Sequence, residues 1–216
     1  MELSTAAGIG GLGFVSAAFV VNYFYLRARL PLPGSAVNLD QVESSFAAGA
    51  VALKRSSVIA PATWLFTTVF AAGLLSVLWR GDDGQTAWAL MGFAGVLMQN
   101  ATFVVVEALR FGMAAGAAAA RGVNAGLWGL TNVLFGFNQV FLATALLGFS
   151  IAGAETEFMS AWLTWLGYAS AALLFVSSSA APFNVDGTNR LGPVGLIGWL
   201  GWAMWIVGCS IALLRL

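Results

Sequence analysis

Histidine is absent from this chain, and cysteine occurs only once, at Cys209. Without histidine a protein lacks the most common metal and haem ligand and the most common general base. One cysteine cannot form a disulfide within the chain, and a lone cysteine in an apolar run is usually a small buried hydrophobe. A phosphate-cradling loop of the form GxxxxGK[ST] is also missing. We therefore expect no metal, no cofactor and no catalytic residues.

Charged residues are scarce as well. They make up 8% of the 216 residues, nine basic and nine acidic, whereas about 25% is usual in a soluble domain. Hydrophobic residues reach 60% and the mean hydropathy is +0.87. A water-soluble protein of this length could not bury so much apolar surface, so the composition predicts an integral membrane protein surrounded by lipids. The net charge of zero gives no reason to expect a nucleic-acid partner.

Long apolar runs are what the sequence has in abundance. Six of them are long enough to cross a hydrocarbon layer of about 30 Å as helices, and they cover residues 4–26, 58–79, 86–109, 125–148, 160–182 and 194–214. We therefore predict an all-α integral membrane protein. Its six transmembrane helices are expected to form one compact bundle, a single domain over residues 1–216.

The connection after the first run carries a helix signal of its own. Pro31 and Pro33 end the first helix, after which Asn38 and Gln41 have the spacing of a capping box. Apolar side chains then recur at helical spacing before a basic pair, at Leu39, Val42, Phe46, Ala50, Leu53, Lys54 and Arg55. This pattern predicts a short amphipathic helix on the cytoplasmic membrane surface; the alternative is an extension of the second span. The alanine- and glycine-rich residues 111–124 are interpreted as a further connector with helical character.

The basic residues indicate the orientation. Seven of the nine belong to loops one, three and five, at Arg27, Arg29, Lys54, Arg55, Arg110, Arg121 and Arg190, and the opposite side holds Arg80 and Arg215. By the positive-inside rule, both termini lie outside and the odd-numbered loops lie in the cytoplasm. We expect a protein of the plasma membrane, and its short loops are typical of a bacterial inner-membrane protein.

The fourth run, residues 125–148, sorts its side chains by face. At about 100° per residue, one wedge roughly 120° wide holds Trp128, Thr131, Asn132, Phe135, Asn138, Gln139 and Leu142. The opposite side is mostly apolar, with Val133, Gly136, Phe137, Val140, Ala143 and Leu147. The wedge is therefore predicted to face the protein interior or a cavity, and the opposite side is predicted to face lipid.

Amides of the third run complete the candidate site. Gln99 and Asn100 lie near mid-membrane, and Asn100 is expected at the depth of Asn138 because the two spans are antiparallel. An amide in hydrocarbon needs a hydrogen-bond partner, so these side chains either hold helices together or line a ligand cavity. In the second case the ligand-binding residues are Gln99, Asn100, Phe103, Trp128, Asn132, Phe135, Asn138 and Gln139.

Glu107 is the one carboxylate inside a predicted span. An acid within the membrane suggests a proton relay or a cation site. However, Glu107 lies near the cytoplasmic end of its span, three residues before Arg110, and the alternative is a structural ion pair with Arg110 or Arg121.

Three functions follow from these patterns. The first is binding or transport of a neutral or amphipathic, lipid-like small molecule within the bundle. The second is an accessory subunit whose membrane-protein partner packs on the small residues Gly195, Gly198 and Gly201 of the sixth span. The third, an intramembrane enzyme with Glu107 as its base, is the least favoured because the usual nucleophiles and metal ligands are missing.

Overall fold

The computed structural model describes residues 2–35, 38–79, 83–119, 125–154, 156, 158–187 and 191–216. In these residues the regular structure is helical, with a short 3-10 turn at Ala181–Phe183 and no strand. The α-helices are α1 (Leu3–Arg27), α2 (Leu39–Ser57), α3 (Ala60–Leu78), α4 (Asp83–Ala118), α5 (Ala125–Ala154), α6 (Ala161–Ser179) and α7 (Gly192–Leu213). All except α2 are long and apolar enough to cross a membrane, which confirms the predicted all-α, six-span architecture.

Several helix ends differ from their predicted positions, and among them α5 continues past the predicted residue 148 to Ala154. The third span was expected to stop at residue 109, but α4 continues to Ala118 and its 36 residues extend about 54 Å. The predicted connector is therefore part of the span helix up to that point, and its residues 120–124 lie outside the described ones. In contrast, α6 stops at Ser179, since Pro182 cannot continue a helix and the chain turns in 3-10 geometry instead.

The amphipathic helix α2 forms where it was predicted. The Asn38 side chain accepts a hydrogen bond of 2.8 Å from the Gln41 nitrogen, which caps the N-terminus. Residues 58–59 separate α2 from α3, so α2 does not extend the second span. Its apolar face was expected to lie on the membrane surface, but Phe46 and Leu53 are fully buried in a small core with Met113 of the α4 extension. The extra turns of α4 therefore provide the protein surface that α2 covers.

Consecutive spans run in opposite directions through the bundle. We call the end with both termini the terminal end, and the end with the α1–α3, α4–α5 and α6–α7 connections the loop end. At the terminal end, the Gln85 side chain of α4 donates to the Ala152 carbonyl of α5 over 2.7 Å. Which end faces the cytoplasm stays a prediction from the charges, and Arg80, Arg121 and Arg190 of that count lie outside the described residues.

The main hydrophobic core occupies the terminal half of the bundle. Trp205 of α7 stacks on Phe149 of α5 with ring centroids 6.3 Å apart and meets Phe70 of α3 edge-on at 6.2 Å. Glycines bring the backbones together here, because a Cβ at Gly95 of α4 would lie 2.6 Å from the Ala145 nitrogen of α5. This half is thus closely packed.

The glycines of α7 are used inside the chain. A Cβ at Gly198 would lie 2.8 Å from Leu174 Cγ of α6, and one at Gly195 would lie 2.5 Å from Ser177 Oγ. A Cβ at Gly201 would meet the Ser170 hydroxyl on the same helix. The surface on which we expected a membrane-protein partner is therefore already covered by α6.

Helix α5 is surrounded by protein more than its pattern predicts, because α4 and α6 pack on two of its sides. The predicted wedge is largely buried, including Thr131 and Leu142. On the opposite side Phe137 is exposed, as expected for a lipid-facing residue, but Gly136 and Ala143 are buried. A Cβ at Gly136 would lie 2.6 Å from the Ala181 Cβ, so the expectation of lipid contact is wrong at this position.

Candidate functional site

A cavity of about 960 Å³ lies in the loop half of the bundle, lined by residues from all six spans. Towards the terminal half it is closed by Phe14, Leu142 and Trp202, and the rings of Phe14 and Trp202 meet edge-on at 5.1 Å. Sites for small organic ligands commonly enclose about 300–1,000 Å³. The cavity is therefore large enough for a molecule the size of a drug or a single-chain lipid.

Apolar side chains form most of the wall. Phe103 of α4 and Phe135 of α5, both named in the predicted site, line the cavity and meet edge-on with centroids 6.1 Å apart. Across from them, Phe19 of α1 and Trp199 of α7 form a second edge-on pair at 5.6 Å. Such a wall favours a ligand with an apolar body.

The cavity reaches the outer surface between α1 and α7. Leu26 on α1 and Leu196 on α7 both line it, and they are 60% and 58% exposed. Tyr23 and Leu200 line the same opening and are also exposed. Both helices are long and apolar enough to span a membrane, and we call this opening between them the lateral opening.

Three of the predicted amides line the cavity and have side-chain oxygens with no hydrogen-bond partner among the described residues. The side-chain oxygens of Gln99, Asn138 and Gln139 are buried, and none of them has a partner within the described residues. A buried polar atom left unpaired costs about 1–3 kcal/mol. These side chains do not hold helices together through the oxygens, and a polar group inside the cavity would satisfy them.

Asn100 is turned away from the cavity by the one-residue step from Gln99. Its Oδ1 accepts from Thr67 at 3.0 Å, and its Nδ2 donates to the Trp64 carbonyl and the Thr68 hydroxyl, both at 3.1 Å. The amide is therefore fully engaged between α4 and α3. At this position the contacts favour the helix-packing interpretation over ligand binding.

Asn132 forms hydrogen bonds to two connections at the loop end. Its Oδ1 accepts from the Gly34 backbone N–H at 2.8 Å, and its Nδ2 donates to the Val185 carbonyl at 3.1 Å. One fully buried side chain thus joins the α1–α2 and α6–α7 connections. Trp128, the remaining residue of the predicted set, is buried in the small core under α2 and does not line the cavity.

Glu107 and Arg110 lie on the cavity wall at the loop end and form an ion pair of 3.5 Å. Glu107 Oε1 accepts a hydrogen bond of 2.6 Å from the Tyr25 hydroxyl and another from the Ser57 hydroxyl. The guanidinium of Arg110 lies over the Tyr25 ring, 3.9 Å from its centroid. This cluster of four side chains, which we call the polar cluster, ties α1, α2 and α4 together.

The contacts of Glu107 correspond to the structural alternative for this residue. Its carboxylate already meets three donors, and Arg110 supplies the positive charge that a bound cation would bring. A proton or cation role for Glu107 stays a prediction, and Arg121 lies outside the described residues. Within the described ranges, no group of three or more His, Cys, Asp or Glu side chains is placed to hold a metal ion.

Sequence reasoning missed Tyr25, Ser57 and Arg110 as members of the site. Arg110 was considered as a charge near the membrane surface and as a possible partner of Glu107, but not as a residue of the cavity wall, and it is 4% exposed. A signal existed for Tyr25, because a tyrosine inside a span usually places its hydroxyl against a hydrogen-bond partner. No signal in the sequence indicates that this partner lies on α4, 82 residues away.

Comparison of the chain with protein-family models, with curated proteins and with solved structures finds no match. The cavity and its lining residues are therefore the features of this protein that bear on its function.

Proposed function

We propose that this multi-pass membrane protein binds an amphipathic small molecule in the cavity of its loop half. The observation that carries the proposal is the combination of an apolar wall with unpartnered polar atoms, around a volume of about 960 Å³. An apolar ligand alone would leave those polar atoms unpaired, and a small polar ligand would leave the aromatic wall uncovered. A molecule with both parts fits both.

The lateral opening supports the membrane itself as the source of the ligand. Its rim consists of exposed apolar side chains such as Leu26 and Leu196, which an aqueous entrance would not favour. An amphiphile dissolved in the bilayer would enter between α1 and α7 without crossing water. The charge distribution adds the proposal that this opening lies in the cytoplasmic half of the membrane.

We propose binding in preference to transport, because Phe14, Leu142 and Trp202 separate the cavity from the terminal half. Release on the terminal side would require these buried side chains to part. The accessory-subunit alternative has less support, since α6 covers the glycine face on which it depended.

Native mass spectrometry of the protein released from lipid nanodiscs tests the proposal. The wild type is expected to retain a small molecule distinct from the bulk lipid. Ala18→Trp places a large ring in the cavity wall, and Ala101→Trp makes the same change on an exposed part of α4. The retained mass should disappear in the first variant and persist in the second. A wild type that carries no small molecule contradicts the proposal, and a second polypeptide at fixed stoichiometry favours the accessory-subunit alternative.

A further inference from the structure

Arg110 is a buried cation with spare hydrogen-bond donors. It is 4% exposed and lines the cavity, and its only hydrogen bond within the described residues joins Nη1 to Glu107 Oε2 at 3.5 Å. Nε and Nη2 are buried without a partner in the described part of the chain. A guanidinium carries five N–H donors, and a buried charge is stable only when its donors are used. The unpartnered atoms therefore point to a ligand group that accepts hydrogen bonds.

The geometry of the spare donors selects the kind of acceptor. Nε and Nη2 share one edge of the guanidinium, so their N–H bonds run side by side and match two oxygens of a carboxylate or a phosphate. The Tyr25 ring lies under the guanidinium at 3.9 Å and fixes its plane. The edge is thus oriented before any ligand arrives.

The ion pair with Glu107 leaves Arg110 able to interact with a second anion. At 3.5 Å their contact is long for a charge-assisted hydrogen bond, for which about 2.7–2.9 Å is usual. The other oxygen of Glu107 accepts hydrogen bonds from the Tyr25 and Ser57 hydroxyls, so two of the three donors to this carboxylate come from residues other than Arg110. Arg110 can therefore bind a second anion.

The cavity continues from Arg110 along one face of α4 to Gln99, three helical turns or roughly 16 Å away. Phe103 and Val106 lie on the same face between them and give that stretch an apolar lining. We propose that the ligand is an anionic amphiphile, whose carboxylate or phosphate group binds the free edge of Arg110 and whose apolar chain lies along α4. This inference rests on the proposed function, since it names the class of molecule that the same cavity takes.

Competition binding tests the inference. Radiolabelled palmitate is bound to the protein in nanodiscs of zwitterionic lipid at mildly alkaline pH, and is displaced with unlabelled palmitate, hexadecyl phosphate, hexadecanol or inorganic phosphate. The alcohol has the same chain and partitions into the same lipid, so it isolates the contribution of the charged group. The two anionic amphiphiles should bind about 10- to 100-fold more tightly than the alcohol, as expected for hydrogen bonds to a charged group. Inorganic phosphate should not compete at the same concentration.

Two variants assign that preference to the guanidinium. Arg110→Gln should bring the affinities for palmitate and hexadecanol to within about threefold of each other. The double variant with Glu107→Gln and Arg110→Gln, which leaves no buried charge unpaired, should do the same. Arg27→Gln removes the same charge from the exposed end of α1 and should keep the preference. Glu107→Gln alone should strengthen palmitate binding several-fold, because it removes the competing carboxylate. If Arg110 had only a structural role, Arg110→Gln and Glu107→Gln would not change palmitate binding in opposite directions.

Failure of the two proposals can be told apart. If no long-chain competitor displaces palmitate saturably, the cavity does not bind amphiphiles and the proposed function fails as well. If hexadecanol competes as well as palmitate in the wild type, or if the double variant keeps the preference, the cavity binds amphiphiles but Arg110 does not select their head group. Displacement by inorganic phosphate as effective as that by hexadecyl phosphate contradicts the need for a chain.

Discussion

In the terminal half of the bundle Gly95 and Gly148 let the backbones of α4 and α5 approach each other directly, whereas in the loop half the same six spans surround a cavity of about 960 Å³. The difference extends to the aromatic residues. Trp205 is fully enclosed by Phe70 and Phe149 in the terminal half, but Phe19 and Trp199 form a cavity wall in the loop half. One half of the bundle is therefore closely packed and the other half encloses an open space.

The amides show the same division at the level of single side chains. Asn100 uses both ends of its amide to join α4 to α3, whereas the oxygen of Asn138, at a similar depth, lies on the cavity wall without a partner in the described part of the chain. Residue type and membrane depth do not distinguish a structural amide from a binding one. The two kinds of amide differ in the direction of the side chain, which points to a neighbouring helix in one case and to the cavity in the other.

The largest effect is expected from adding one methyl group to the terminal half. A Cβ at Gly95 would lie 2.6 Å from the Ala145 nitrogen and 2.7 Å from the Phe141 carbonyl oxygen, and neither backbone atom can move aside alone. Gly95→Ala should destabilise the protein by about 2 kcal/mol, because overpacking outweighs the better helix propensity of alanine. Thermal unfolding in detergent measures the change.

Gly112→Ala is the matched control on the same helix. A Cβ at Gly112 has no atom within 4 Å among the described residues, so alanine there should be neutral or should stabilise by up to about 1 kcal/mol. Equal losses at both positions would show that the two halves of α4 do not differ in packing.

The next effect separates the two kinds of amide. Asn100→Leu removes three hydrogen bonds between helices and should cost about 1 kcal/mol in stability, the usual scale for such contacts in membranes. Asn138→Leu removes an amide whose oxygen is unpartnered, so stability should stay the same or rise while ligand retention falls. Unfolding curves and native mass spectra of both variants give the comparison. An Asn138→Leu variant less stable than Asn100→Leu would make Asn138 a packing residue too.

A local effect is expected at the loop end. Asn132→Leu removes the hydrogen bonds to Gly34 and Val185, so proteolysis and hydrogen exchange should speed up in residues 30–35 and 184–187. Asn22→Leu is the control, because the Asn22 side chain bonds only to Ala18 of its own helix among the described residues. Unchanged exchange in both connections of the Asn132 variant would mean that the hydrogen bonds of Asn132 do not order these connections.

The smallest effect on stability is expected from single substitutions that test the lateral opening. A photoreactive amino acid at Leu26 or Leu196 should crosslink a bound amphiphile, and excess unlabelled ligand should suppress that crosslink. At Leu65, an exposed residue of α3 that does not line the cavity, any crosslink to the probe should resist competition. Competition at all three positions alike would place the ligand in the surrounding lipid and not in the opening.

Much of the fold follows from the sequence, because hydrocarbon thickness and helix geometry determine the length of a span. The six spans and α2 are present, and the Asn38 cap lies where its spacing predicted. Helix ends were harder to predict. The continuation of α4 to Ala118 depends on the contact with α2, which a hydropathy pattern does not contain.

The candidate site was only partly predictable for the same reason. Periodicity identified the polar face of α5, but it could not say which helix covers each part of that face. Asn132 therefore binds two loops and Trp128 lies under α2, while Asn138 and Gln139 reach the cavity. The partners of Glu107 come from α1, α2 and α4, and only the Arg110 contact was close enough in sequence to be expected.

Hydrogen exchange with and without a saturating amphiphile tests the division of the two halves most directly. Exchange is expected to slow on ligand addition in residues 14–27, 97–110 and 192–202, which contain cavity-lining side chains, and to stay unchanged in residues 85–96 and 143–153 of the terminal half. Protection spread equally over both halves, or confined to the terminal half, would contradict this expectation.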